Sequence, residues 1–258
     1  MNETVLITGA SSGIGLELAK CFAAGGCRLV LVARTEAALE KLAGELRQKN
    51  NIDAIVLPAD LSLSESPKQI FEKLSARQIA VDVVVNNAGF GLHGAFAELP
   101  LPRQLEILQV NMTALVELTG LFLPAMIQRN RGGILNVGSV AGFQAGPGMA
   151  IYYATKAFVL SFTEALAEEL SETHLKISVL CPGATETNFS KVARGGKTRN
   201  IQVSKMSAEA VARQGHRDFR KGKTISVTGR QNKMFVFLNR LLPRSIPRRI
   251  IKFYNRTD

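Results

Sequence analysis

The sequence predicts an α/β fold: a doubly wound, mostly parallel seven-stranded sheet with helices on both faces. Three observations carry this reading. Seven short runs rich in β-branched and aliphatic residues alternate with longer stretches of helical period. Most of the runs, such as Leu29-Val30-Leu31-Val32 and Val83-Val84-Val85, are apolar without alternation, as strands covered on both faces must be. The first run leads into a glycine-rich turn and then a helical stretch, the order in which such a sheet begins.

In order, the strands read as residues 4–8, 28–34, 54–60, 81–86, 133–139, 176–181 and 224–228, with helices near 13–25, 36–50, 66–79, 102–130, 152–173 and 207–221. The most membrane-like stretch, residues 107–128, has one charge, Glu117, but also Gln109, Asn111, Thr113, Thr119 and Pro124. It reads as a buried core helix, because polar groups in hydrocarbon need special compensation. No internal repeat, linker or composition shift precedes residue 190. Residues 1–258 therefore read as one domain, with a variable substrate loop at about 188–206 and a basic C-terminal extension at about 230–258.

Composition excludes a disordered or fibrous chain: 46% of the 258 residues are hydrophobic and 21% charged. The net charge of +11 is unevenly placed. Residues 1–190 carry 14 Lys/Arg and 18 Asp/Glu, residues 191–258 carry 18 and 3, so an acidic body ends in a basic tail. Cys21, Cys27 and Cys181 are too few and too scattered for a disulfide framework or a metal site; they indicate a reducing, cytoplasmic setting and pack as small hydrophobes. The apolar run Val5-Leu6-Ile7 is too short for a signal peptide. His93, His174 and His216 share no partner spacing, and no metal is expected.

The segment Thr8-Gly9-Ala10-Ser11-Ser12-Gly13-Ile14-Gly15 follows the first strand and opens the first helix. Glycines permit the tight turn and the close approach of backbone to a pyrophosphate, and the helix N-terminus offers free N–H groups with a partial positive charge. Its spacing is G-x-x-x-G-x-G rather than G-x-G-x-x-G. At the end of the second strand stands Arg34, where an acidic residue would accept hydrogen bonds from a ribose 2′-hydroxyl. A cation there attracts a 2′-phosphate, so NADP(H) is favoured over NAD(H). Asp60 and Leu61 end the third strand, placed to pass beside an adenine ring, although Asp60 suits a helix cap equally well.

Tyr152 and Lys156 stand four apart at the start of a helical run and so project from one face. An adjacent ammonium favours the phenolate, making the pair a tunable proton donor. Ser139, thirteen residues upstream at a strand end, is placed to hydrogen-bond a carbonyl oxygen and hold it against the tyrosine.

With these residues in view, the chain resembles the single-domain branch of the short-chain dehydrogenase/reductase family. The matches are T-G-x-x-x-G-x-G from Thr8 to Gly15, Asn86-Asn87-Ala88-Gly89, a helical Asn111, the Ser139/Tyr152/Lys156 set, and Pro182-Gly183-Ala184-Thr185-Glu186-Thr187, in the family's order across residues 4–190. The resemblance implies a Rossmann-fold oxidoreductase that interconverts a ketone and a secondary alcohol. Tyr152 would pass its proton to the carbonyl oxygen as hydride leaves the nicotinamide; Lys156 would bind the nicotinamide ribose and lower the tyrosine pKa; Ser139 would orient the carbonyl. Asn111 would hold a relay water, Asn87 and Gly89 would line the cofactor cleft, and Pro182, Gly183, Thr185 and Thr187 would meet the nicotinamide end. Tyr153 lacks the spacing to Lys156 and reads as a packing residue. Phe158, Phe162, Leu166 and Leu170 read as core or as a subunit interface, since the helix after the lysine commonly pairs between subunits in this family. A homodimer or homotetramer is the implied assembly.

Phe90, Gly91, Leu92, Phe143 and Met149 fall by position beside the substrate, and their apolar character suits an apolar or acyl carbonyl compound, 3-oxoacyl thioesters among them. The competing reading is a non-catalytic NADP-binding sensor or scaffold, against which the intact proton-transfer set argues. In the variable loop, Lys191, Arg194, Lys197 and Arg199 read either as partners of an acidic ligand or cofactor phosphate or as solvated charges. In the tail, Met234, Phe237, Leu238 and Leu241 have helical spacing, Arg240, Arg244, Arg248 and Lys252 recur every four residues, and Pro243 and Pro247 must break any single helix. An ordered interface or lid and peripheral membrane contact both fit this pattern. Nucleic acid is not expected, because no stacking aromatics interleave with the cations.

Overall fold

The computed structural model describes residues 3–193 and 205–255. In chain order the strands are β1 (Thr4–Thr8), β2 (Arg28–Ala33), β3 (Ala54–Pro58), β4 (Val83–Asn86), β5 (Gly133–Val137), β6 (Lys176–Cys181), β7 (Thr185–Glu186), β8 (Met206–Ser207) and β9 (Ile225–Val227). Seven form one sheet in the order β3-β2-β1-β4-β5-β6-β9, and every neighbouring pair is parallel. The short β7 and β8 pair with each other.

The helices are α1 (Gly13–Ala24), α2 (Glu36–Asn50), α3 (Ser66–Ala76), α4 (Leu101–Leu108), α5 (Ala114–Arg129), α6 (Ala150–Glu169), α7 (Phe189–Ala193), α8 (Ala208–Arg220), α9 (Arg230–Leu241) and α10 (Ser245–Tyr254). Asn51 and Asn130, both left-handed, end α2 and α5, a backbone state that Asn tolerates better than most side chains.

The strands are continuously apolar because successive residues feed different cores. Val5, Ile7, Leu29, Leu31, Val83 and Val85 pack with α1, α2 and α8, whereas Leu6, Val30, Val32, Val84 and Ile134 pack with α3, α5 and part of α6. The helical run 101–129, joined through a π turn at Gln109–Thr113, is long and apolar enough to cross a bilayer. Its Leu118, Phe122 and Met126 instead lie in the second core, with Pro124 on the exposed side of α5.

The strand order reverses between β1 and β4, the switch point at whose carboxyl edge such sheets bind ligands. Several strands leave the ladder there earlier than the sequence pattern suggests. Arg34, Asp60 and Ser139 lie just past the strands, in the turns that re-aim the chain toward the following helices. Ser139 thereby caps a 3₁₀ turn, Val140–Phe143, its Oγ accepting from Ala141 N at 3.1 Å. Pro243 separates α9 from α10, while Pro247 sits in the first turn of α10, where a missing N–H costs nothing. The variable loop contains α7 and β8, elements absent from the sequence reading; Arg194, Lys197 and Arg199 fall outside the described residues.

Candidate active site

The glycine-rich turn is clamped to the end of β4. Thr8 Oγ1 accepts from the backbone N–H groups of Asn87 and Ala88, both at 3.0 Å, and Asn87 Nδ2 donates to the carbonyls of Thr8 (2.9 Å) and Gly9 (3.2 Å). Asn87 thus braces the loop. A Cβ at Gly15 would overlap both the Gly9 carbonyl oxygen and Asn87 Nδ2, so only glycine fits this packing. Ser12, at the N-cap of α1, makes no side-chain cap, and no acidic residue occupies the first turn. A helix end so lacking in negative charge suits a phosphate. Thr187 reaches this loop from the Pro182–Thr187 segment: its methyl lies 3.1 Å from where a Cβ of Gly13 would stand. Ser11 lies on the turn, and Ile14 packs toward the first core.

Arg34 is exposed at the end of β2, and no hydrogen bond or ion pair engages it among the described residues. Asp60 shapes the turn ahead of α3 and is not the cap of that helix, a position that Glu65 holds. Its Oδ1 accepts from Ser62 N at 3.0 Å and its carbonyl from Ser66 Oγ at 2.7 Å, shaping the turn into α3. Leu61 buries its side chain in the second core.

Ser139, Tyr152, Lys156 and Asn111 converge. Ser139 hydrogen-bonds Tyr152, and its Oγ lies 3.4 Å from the Pro182 carbonyl. Lys156 Nζ donates to the Val137 carbonyl at 2.7 Å and stands 5.8 Å from the centre of the Tyr152 ring. Asn111 lies in the π turn, where the wider coil turns it inward; it is buried, donating to Phe90 O (3.0 Å) and Thr155 Oγ1 (3.1 Å) and accepting from Phe90 N (3.1 Å). Lys156 and Asn111 both approach Gly89, whose added Cβ would stand 3.7 Å from Nζ and 3.0 Å from Oδ1. Thr185 Oγ1 donates to Gly183 O at 3.0 Å, holding the turn after β6.

Burial dominates the proton affinities. The Tyr152 phenol is pushed up to about 12, its desolvation outweighing the Ser139 hydrogen bond. The sequence-based expectation that Lys156 lowers the tyrosine pKa is not met in this arrangement, because the ammonium faces the Val137 carbonyl and is itself desolvated, down to about 8. The folded chain releases the Lys156 proton near pH 8, whereas the ordinary value is 10.5. Between those values the unfolded chain binds more protons, so this residue makes stability rise with pH there. Lys156→Met is therefore expected to be more stable than wild type at pH 7 by about 2 kcal/mol, the relief of burial less the lost Val137 bond. The gap should close toward pH 10, as urea titrations at the two pH values would read; a gap independent of pH would refute the assignment.

Phe189 and the buried polar chain beneath the site escaped the sequence reading. Phe189 packs its ring 5.0 Å from that of Tyr152, and with Met149 it surrounds Gly91, forming an apolar wall on the substrate side. Asn86 Nδ2 donates to Asn136 Oδ1 (2.9 Å), and Asn136 Nδ2 to Thr163 Oγ1 (2.9 Å), tying β4, β5 and α6 together. Phe143 is drawn away, into a cluster with Val236 of α9. Tyr153 packs against Gly146, as expected of a structural residue. Phe162, Leu166 and Leu170 belong to the second core or pack against it, and Phe158 stacks on Phe162. Among the described residues, no cluster of His, Cys, Asp or Glu could hold a metal ion.

A glycine-rich turn at the switch point, beside a convergent Ser/Tyr/Lys set, fits a Rossmann-fold oxidoreductase that uses a nicotinamide cofactor. Comparison with known proteins agrees. The sequence profile of the short chain dehydrogenases matches residues 3–197. The NADP-dependent 3-hydroxy acid dehydrogenase of Schizosaccharomyces pombe is 35% identical over 211 residues, 80% of each chain. A short-chain dehydrogenase from Sphingobium yanoikuyae in complex with NADPH superposes with a TM-score of 0.82 at 34% identity, covering 87% of each chain. A short-chain dehydrogenase/reductase from Burkholderia phymatum in complex with NAD gives a TM-score of 0.81 at 26% identity, covering 92% of each chain. The chain belongs to the short-chain dehydrogenase/reductase family and is an oxidoreductase acting on CH–OH groups.

Proposed function

We propose that the protein uses NADPH to reduce an apolar or acyl ketone, in the manner of a 3-oxoacyl reductase. The observation that carries this reading is the convergence of Ser139, Tyr152, Lys156 and Asn111 with Tyr152 protonated. The buried phenol, pushed up to about 12, carries the proton that reduction of a carbonyl requires. The bound cofactor supplies the hydride. Ser139 and Tyr152 hold the carbonyl oxygen, Tyr152 gives it a proton, and Lys156, through Asn111, connects the site to its proton supply. The wall of Gly91, Met149 and Phe189 suits an aliphatic substrate, and the fission-yeast relative is named for 3-hydroxy acids.

Arg34 supports NADPH, having no other partner among the described residues. One structural neighbour carries NADPH and another NAD, so the choice of cofactor is to be tested at this position. Arg34→Asp is expected to raise KM for NADPH about 10–100-fold, the loss of a charge-assisted phosphate contact, while improving use of NADH. Steady-state kinetics with both cofactors over a panel of 3-oxoacyl and aliphatic ketones tests cofactor and substrate together. Turnover of none of them, despite cofactor binding, would sink the reading. A homodimer or homotetramer joined partly through the exposed Leu101, Leu105, Val116 and Ile127 of the α4–α5 run belongs to the same proposal. Sedimentation should then give two or four times the 27.9 kDa of one chain.

A further inference from the structure

We propose that α9 and α10 form a docking surface for an anionic phospholipid bilayer. Each helix has two apolar sides, and only one faces the protein. In α9, Val236 is buried, and Asn232 and Asn239 reach inward, to Thr228 O (2.7 Å) and Gln144 Oε1 (2.8 Å). The opposite side presents Met234, Phe237, Leu238 and Leu241, spaced i, i+3, i+4, i+7 and 45–66% exposed. In α10, Pro247 and Ile251 are buried, while Ile246, Ile250 and Phe253, spaced i, i+4, i+7, are 41–68% exposed.

The charge around these faces selects the occupant. Arg230, Lys233, Arg240, Arg244, Arg248, Arg249 and Lys252 are all exposed, residues 230–255 contain no acidic residue, and no ion pair engages the seven among the described residues. On the helical wheel Lys233 and Arg240 flank the apolar stripe of α9 and Arg248, Arg249 and Lys252 lie to one side of that of α10, while Arg230 stands at the N-terminal end of the α9 stripe and Arg244 between the helices. A second protein would need a matching acidic rim, which residues 1–190 of another copy offer only diffusely at net −4. A bilayer with anionic headgroups meets both features at once: acyl boundary for the ridge, lipid phosphate for the cations.

The surface is also continuous with the catalytic segment. Asn255, just past α10, donates to Pro147 O at 3.0 Å and hydrogen-bonds Tyr153, the neighbour of Tyr152. Asn239 holds Gln144 in the same loop. The docked helices would therefore carry the residues that lead into α6, which brings the catalytic tyrosine's own segment against the membrane-bound pair. The docking assignment does not rest on the reductase reading, and its assay reads binding rather than turnover.

The test is flotation of the full chain with vesicles of phosphatidylcholine alone and of phosphatidylcholine mixed with phosphatidylglycerol. Wild type should float with the mixed vesicles and not the neutral ones, and raising salt to about 0.5 M should release it. Phe237→Asp combined with Phe253→Asp should abolish flotation. Arg248→Gln, Arg249→Gln and Lys252→Gln together should weaken it about 100-fold. Both variants should keep the wild-type circular dichroism spectrum and cofactor affinity, showing that they fold. Three results would overturn the proposal: no flotation of wild type with mixed vesicles, flotation that ignores lipid charge and both sets of substitutions, or retention by duplex DNA in place of vesicles. A wild-type oligomer that floats with neither vesicle and falls to a smaller species on the Phe237/Phe253 change would assign the face to a second copy instead.

Discussion

Tyr152→Phe is expected to lower kcat for NADPH-dependent ketone reduction by about 10²–10⁴-fold, the range that a positioned general acid contributes. Phenylalanine keeps the ring that packs 5.0 Å from Phe189 and lines the cleft beside Gly91, so the cavity and its walls persist. Only the hydroxyl is lost, and with it the proton and the hydrogen bond to Ser139. Because the proton moves only as the carbonyl is reduced, the loss should fall on kcat, with NADPH affinity changed by no more than about threefold. Single-turnover kinetics and a cofactor titration on the same preparation separate the two. A variant that kept more than about a tenth of wild-type kcat would mean that Tyr152 is not the proton donor.

Gly15→Ala is expected to weaken NADPH binding at least about 100-fold and to lower Tm by about 2–10 °C, the cost of overpacking a site that cannot collapse outward. The new methyl group meets a backbone oxygen, that of Gly9, and the Asn87 amide that clamps it. Neither is the free end of a flexible side chain, so the phosphate loop itself must move. Ser12→Ala is the control: Ser12 makes no cap, and its loss should leave Tm unchanged. Fluorescence titration with NADPH and thermal scans of both variants read the outcome. Wild-type affinity in Gly15→Ala would show that the loop does not approach the cofactor.

Both predictions rest on residues that the sequence alone singles out, and the reason is their short range. A tyrosine and a lysine four apart on a helix share a face whatever the rest of the fold does. The glycine spacing from Thr8 to Gly15 describes a local turn, and the unbroken apolar strands report burial on both faces. The strand limits near Arg34, Asp60 and Ser139 were less legible, because the point where a chain leaves a sheet depends on what the following helix packs against. Asp60 left two readings open on local grounds, and the Ser62 and Ser66 contacts show it shaping a turn.

What the sequence by itself determined is thus the seven-stranded sheet, the glycine-rich turn, the spacing of Ser139, Tyr152 and Lys156, and the family, all written in spacings of a few residues. Tertiary structure alone decided the proton affinities of that set. Tyr152 lies high and Lys156 low because both are buried and Lys156 turns to the Val137 carbonyl, and desolvation is a property of the surroundings rather than of the spacing. It also brought Phe189 onto Tyr152 and fastened Asn255 to Pro147, 108 residues away. Contacts of that range leave no period in the chain; they exist only once the sheet has carried its loops to one edge.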